Sequence, residues 1–148
     1  MPQPEKKPFL LNELVRKLEI LLETDFRENQ ITFSVQCHPL SIEINGDENQ
    51  LSQVFLNLLK NAMQALEGRT DGVISLRVSQ TELIEIADNG IGIPEELQEK
   101  VFIPFFTTKS EGTGIGLSLC KQIIRQHQGH LSIGISQPGK TIFIIELP

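Results

Sequence analysis

The sequence predicts an α/β sandwich in which three main helices cover one face of a mixed sheet. Three observations carry that expectation. Apolar residues recur at helical spacing in three segments, with alternating or β-branched stretches between them. The elements run helix, strand, strand, helix, strand, strand, then an irregular stretch, then helix, strand, strand, with no internal repeat. A length of 148 residues, with 39% hydrophobic and 22% charged, suits one domain with an ordinary packed core.

In chain order, residues 1–9 read as a polar, proline-rich, disordered lead-in, and the domain occupies 10–148. Leu10, Leu11, Leu14, Val15, Leu18, Leu21 and Leu22 predict an amphipathic helix over about 11–24. Ile31, Phe33 and Val35 alternate, as do Ile42 and Ile44, giving two short strands. Asn45-Gly46 reads as a turn, and Asp47 with Gln50 three residues on is an N-cap pattern. A long helix follows to about residue 66, with Leu51, Val54, Phe55, Leu58, Ala62 and Leu66 as its buried stripe. Residues 73–79 and 83–88 form a hairpin. Residues 89–113 are irregular apart from a short helical stretch near 95–101, and so long an unpatterned segment in a compact domain marks a functional loop or lid. Helical spacing resumes over 114–128, with Gly129 as the C′ residue. Strands at 131–135 and 141–147 close the chain over Pro138-Gly139.

Composition excludes several classes. A net charge of −6 argues against a sequence-independent nucleic-acid binder, while leaving room for a local anion site. Cys37 and Cys120 lie far apart without CxxC spacing, so the reading is two reduced thiols in a cytoplasmic segment. No apolar run approaches ~20 residues, so no membrane contact is expected. Gly134-Ile-Ser-Gln-Pro-Gly139-Lys140-Thr141 matches the P-loop string, but a P-loop needs a helix starting at the lysine. Here Thr-Ile-Phe-Ile-Ile follows, so the string is a hairpin turn.

Three stretches carry candidate chemistry. The long helix sets Asn57 and Asn61 at i and i+4, beside Gln53, Lys60 and Gln64. Such a face is either simply solvated or turns amide oxygens toward a hard cation such as Mg²⁺. At a strand end stands Asp88-Asn89-Gly90-Ile91-Gly92, either an ordinary turn or a carboxylate that accepts from an amino group such as adenine N6. Gly112-Thr113-Gly114-Ile115-Gly116-Leu117 opens a helix, where free amides attract an anion, and Lys109 lies just upstream.

Together and in this order, these stretches resemble the ATP-binding catalytic domain of two-component sensor histidine kinases, in the superfamily of gyrase, Hsp90 and MutL ATPases. The segment from Gln53 through Asn57 and Asn61 resembles the N box. Asp88 to Gly92 resembles the first glycine box, Phe102-Ile-Pro104-Phe105-Phe106-Thr107-Thr108-Lys109 the F box, and Gly112 to Leu117 the second glycine box. The resemblance covers about 10–148 and implies a Bergerat-type two-layer sandwich: a mixed, mostly antiparallel sheet of about five strands, three helices on one face, and an ATP lid over about 93–113. It further implies ATP and Mg²⁺ as ligands, with Asn61 on the metal and Asn57 at the phosphates, Asn57 and Lys109 acting in catalysis. Asp88 would take the adenine amine with support from Thr141. Gly90 and Gly92 would give the backbone room. Thr107, Thr108 and Lys109 would serve the lid, and Gly112, Thr113, Gly114, Ile115, Gly116 and Leu117 the phosphates. Phe102, Phe105 and Phe106 would anchor the lid or pack in the core. Gln64 departs from the lysine that many relatives carry.

The reaction class turns on Asn57. In the hydrolase branch, and in anti-sigma serine kinases, a glutamate stands one turn before the magnesium asparagine. A neutral amide cannot act as that base, which favours transfer to histidine. His38 precedes Pro39, while His127 and His130 flank a helix end, so none resembles an acceptor box. The implied partners are a separate phosphoacceptor and dimerisation helical domain of the same kinase and a downstream response regulator. The parent protein is compatible with a membrane anchor, and this domain alone is expected to be monomeric.

Overall fold

The computed structural model describes residues 3–79, 83–106 and 116–148. Its elements are β1 (Lys7–Leu10), α1 (Leu11–Glu28), β2 (Ile31–Cys37), β3 (Glu43–Gly46), α2 (Glu48–Ala65), β4 (Gly72–Val78), β5 (Leu83–Asp88), α3 (Gly116–Gln126), β6 (His130–Gln137) and β7 (Lys140–Glu146). Two 3-10 turns, Glu95–Leu97 and Lys100–Phe102, stand where one short helix was expected. Five strands form the main sheet in the order β2-β4-β5-β7-β6; β2 and β4 run parallel and the other neighbours antiparallel. The three α-helices pack on one face of that sheet, as expected, through α1 on β2, α2 on β4 and β5, and α3 on β6.

Strand alternation explains the layering. In β4, Ile74, Leu76 and Val78 are buried, whereas Val73 and Arg77 on the other face are exposed. Leu51, Val54, Phe55, Leu58 and Ala62 of α2 meet that buried face, and Asp47 caps the helix by accepting the Gln50 N–H at 3.0 Å. The sequence places this helix within a residue at its C-terminal end.

Several expectations need correction. The lead-in is not wholly without structure: Lys7–Leu10 pairs antiparallel with β3 in a separate two-stranded sheet. Helix α1 runs four residues past 24, because Phe26 completes its apolar stripe and stacks on Phe33 at 4.8 Å. Asn45-Gly46 ends β3 rather than forming a turn, and a Cβ on Gly46 would stand 2.8 Å from Leu51 Cδ1. After α3 it is Gln128 that takes the left-handed conformation, at φ 59°. Gly129 is required instead because a Cβ there would lie 2.4 Å from the Glu146 carbonyl oxygen. The P-loop string is indeed the β6–β7 hairpin, with Gly139 at φ 91°.

Candidate functional site

The site is built around the C-terminal half of α2 and one end of the main sheet. Gln53, Asn57 and Asn61 lie at successive i+4 positions of α2, and Ala65 is one turn further. Gln53 Nε2 donates to Asn57 Oδ1 at 3.0 Å. On its other side Asn57 faces α3. A Cβ on Gly116 would sit 4.0 Å from the Asn57 amide, and the Asn57 side chain hydrogen-bonds Cys120. Burial pushes the Cys120 thiol up to about 12, and its S–H donates to the Val54 carbonyl at 3.7 Å. The first turn of α3 therefore rests on the N-box face of α2.

At Ala65 the same helix meets the first glycine stretch. Ile91 N–H donates to the Ala65 carbonyl at 3.3 Å, and a Cβ on Gly90 would come within 2.6 Å of that oxygen. Asn57 and Ala65 are eight residues apart, about 12 Å along a helix. One rigid rod thus fixes the spacing between the first described turn of α3 and the Asp88 turn.

Asp88 ends β5 and is 6% exposed. It faces Ile74 on β4 and Thr141 on β7, and Thr141 in turn faces Ser136 on β6. Three polar side chains therefore stand side by side at one end of the sheet, on its helix-covered face. Asp88 Oδ1 accepts the Gly90 N–H at 2.8 Å, and Ser136 Oγ lies 2.9 Å from Thr141 Oγ1. A buried carboxylate and a buried hydroxyl, Thr141 being 3% exposed, suit a ligand that presents both donor and acceptor edges.

The family described as histidine kinase-, DNA gyrase B- and HSP90-like ATPase matches residues 46–148. The chain belongs to this ATPase family. Sporulation kinase A of Bacillus subtilis is 38% identical over 139 residues, covering 93% of this chain and 23% of that protein. The chain thus spans about a quarter of that relative's length. The nucleotide-free catalytic domain of histidine kinase ThkA superposes with a TM-score of 0.89 at 36% identity, covering 97% of this chain and 95% of the other. ThkA solved in complex with the response regulator protein TrrA gives a TM-score of 0.84 at 34% identity, covering 98% and 42%. The fold is that of the ATP-binding catalytic domain of sensor histidine kinases.

Within that fold the expected residues are placed as follows. Asn57 and Asn61 are half-buried on one face of α2, while Asp88 and Thr141 are paired across β5 and β7. Gly116 and Leu117 open α3. Thr107, Thr108, Lys109, Gly112, Thr113, Gly114 and Ile115 lie outside the described residues. At Gly90 and Gly92 the protein itself packs close to the backbone: a Cβ on Gly92, at φ 81°, would strike the Gln137 carbonyl at 2.5 Å. The three phenylalanines part company, with Phe106 half-buried. Phe102 packs edge-on to Phe143 at 6.3 Å beneath the Lys121 ammonium, whereas Phe105 is 77% exposed.

Sequence reasoning missed three residues. Asn89 staples the glycine turn to the start of β4, accepting the Val73 N–H at 2.7 Å and donating to the Asp71 carbonyl at 3.0 Å. His127, 3% exposed, accepts the Asp47 N–H on Nε2 at 3.0 Å, while its Nδ1 lies 2.9 Å from the Ile123 carbonyl. It ties the end of α3 to the start of α2. Ser136 accepts the Ile93 N–H at 2.7 Å. Only the burial of His127 had a signal in the sequence, its place at i+4 from Ile123 on the apolar stripe of the last helix.

Proposed function

We propose that this chain binds Mg·ATP and donates the γ-phosphoryl group to a histidine on a separate helical dimerisation segment, in two-component signalling with a response regulator downstream. The observation that carries the reading is the pairing of buried Asp88 with Thr141 at the base end, joined by α2 to a neutral amide, Asn57, at the phosphate end. Asp88 accepts from the adenine amine, Thr141 supports the base, and the first turn of α3 from Gly116 and Leu117 attracts phosphate. The amide oxygen of Asn61 suits Mg²⁺, which takes oxygen ligands and completes its shell with phosphate and water; bound there, it would neutralise charge on the phosphates. Thr107, Thr108, Lys109 and the glycines Gly112 and Gly114 complete the reading as lid and phosphate residues, with Lys109 as a source of positive charge.

In the transfer, a neutral imidazole nitrogen attacks the γ-phosphorus. The bond to the bridging oxygen breaks, a P–N bond forms, and ADP leaves. Asn57 cannot serve as general base, and this separates the reading from a hydrolase or a regulatory serine kinase with a glutamate at that place. None of the chain's own histidines competes as acceptor: His127 is buried beneath α2, and His38 and His130 lie outside any helix. The solved complex of ThkA with a response regulator supports the choice of downstream partner. Among the described residues no helix is long and apolar enough to cross a membrane, and we place this segment on the cytoplasmic side. The test is transfer from labelled ATP in the presence of a cognate helical hairpin. Acid-labile label on the hairpin is expected; label on this chain's own histidines without the hairpin refutes the split arrangement.

A further inference from the structure

One hydroxyl group touches both Thr141 and the segment that leaves the first glycine turn. Ser136 Oγ lies 2.9 Å from Thr141 Oγ1 and accepts the Ile93 N–H at 2.7 Å. Gln98 Nε2 closes the arrangement, donating to the Ile93 carbonyl at 3.0 Å and the Ser136 carbonyl at 3.2 Å. The strand register makes this geometry obligatory, because Asp88, Thr141 and Ser136 are direct cross-strand neighbours. A serine hydroxyl left alone rotates freely. This one is pinned by a backbone donor that cannot turn, leaving its O–H and second lone pair for Thr141. The orientation of the Thr141 hydroxyl is thus set from behind, on the side away from Asp88.

We propose that Ser136 is a positioning residue for nucleotide recognition, orienting the Thr141 hydroxyl beside Asp88 and, through the same oxygen, holding the backbone at Ile93. This rests on the nucleotide reading above. Ser136 is partly exposed and belongs to no apolar cluster, so a purely structural role would show as lost stability and not as a coupled loss of affinity.

The experiment is a double-mutant cycle on ADP affinity by calorimetry, using Ser136→Ala, Thr141→Val and the pair, with Ser136→Thr as the conservative variant. Ser136→Ala is expected to weaken ADP binding about three- to tenfold, the worth of one neutral hydrogen bond. The double variant should bind no more weakly than Thr141→Val, and Ser136→Thr should restore affinity. Hydrogen exchange on the nucleotide-free protein gives a separate readout: the Ile93 amide should lose protection in Ser136→Ala and keep it in Thr141→Val. A cycle in which the two losses multiply, or unchanged Ile93 exchange in Ser136→Ala, overturns the proposal. Wild-type protein that fails to bind ADP refutes the nucleotide reading itself and this inference with it. Wild-type binding with an additive cycle refutes the inference alone.

Discussion

If Asp88 recognises the adenine as proposed, replacing it by asparagine separates that recognition from the folding of the turn that presents it. Asp88 Oδ1 accepts the Gly90 N–H at 2.8 Å, and both residues are buried. Alanine would leave that amide without its acceptor, costing about 1–3 kcal/mol of folding and obscuring any effect on binding. Asparagine keeps a carbonyl oxygen for Gly90 and replaces only the charge and the second acceptor, where it now presents an NH₂. A hydrogen bond to a carboxylate contributes about 1.5–3 kcal/mol, so Asp88→Asn should weaken ATP binding about 10- to 150-fold. The same change should favour a base with an acceptor at position 6. Inosine triphosphate carries a keto oxygen there, and its affinity relative to ATP should rise. Calorimetry with both nucleotides, and urea unfolding of both proteins, reads all three quantities. An Asp88→Asn protein that binds ATP as the wild type does, with an unchanged ATP to inosine triphosphate ratio, would refute the assignment of Asp88 to the adenine amine.

Two further outcomes follow from the fold. Gly92→Ala should destabilise by about 2 kcal/mol or more, since a left-handed φ of 81° alone costs about 1–2 kcal/mol and the added Cβ also meets the Gln137 carbonyl. Gly139→Ala has φ 91° but open space around it and should cost about 1 kcal/mol; equal losses in urea unfolding would contradict the close approach at Gly92. Asp47 is held below its ordinary carboxyl value of 3.8, first by the Gln50 N–H and then by the Glu5 N–H. A depressed folded-state pKa stabilises above the unfolded value and loses that contribution as pH falls through the folded one. Thermal melts from about pH 5 to 2 should therefore fall less steeply for Asp47→Asn, which keeps a capping oxygen but does not titrate; parallel curves would show that the cap is not linked to pH.

The helices were legible because their signals are local. Asp47, Gln50 and the Leu51-Val54-Phe55-Leu58 stripe lie within twelve residues of chain and specify α2 with its cap and buried face. Four motifs in fixed order likewise carried the family. What escaped depends on contacts distant in sequence. Lys7–Leu10 becomes a strand only because β3 offers an edge more than thirty residues away. His127 has a role only once the start of α2 is brought to it, and Ser136 only once β7 and Ile93 flank it. The His127–Asp47 and Ser136–Ile93 bonds span 80 and 43 residues, and the Ser136–Thr141 contact, though only five residues long, needs the β6–β7 register to be known.

The glycines show how one motif admits two physical readings. In Asp88-Asn89-Gly90-Ile91-Gly92, a missing Cβ has the same signature whether the space is taken by a ligand or by the protein. Here the Ala65 carbonyl occupies the space at Gly90 and the Gln137 carbonyl that at Gly92, and Gly139 N–H donates to the Gly90 carbonyl at 2.8 Å. The turn is thereby clamped between the end of α2 and the β6–β7 hairpin, which fixes the peptide that follows Asp88. Preorganising the carboxylate in this way means that a bound base need not supply the energy to order it, and that energy remains for affinity. On the proposed reading, the glycine box serves recognition by packing against its own fold, and Asp88 is the residue that would meet the base.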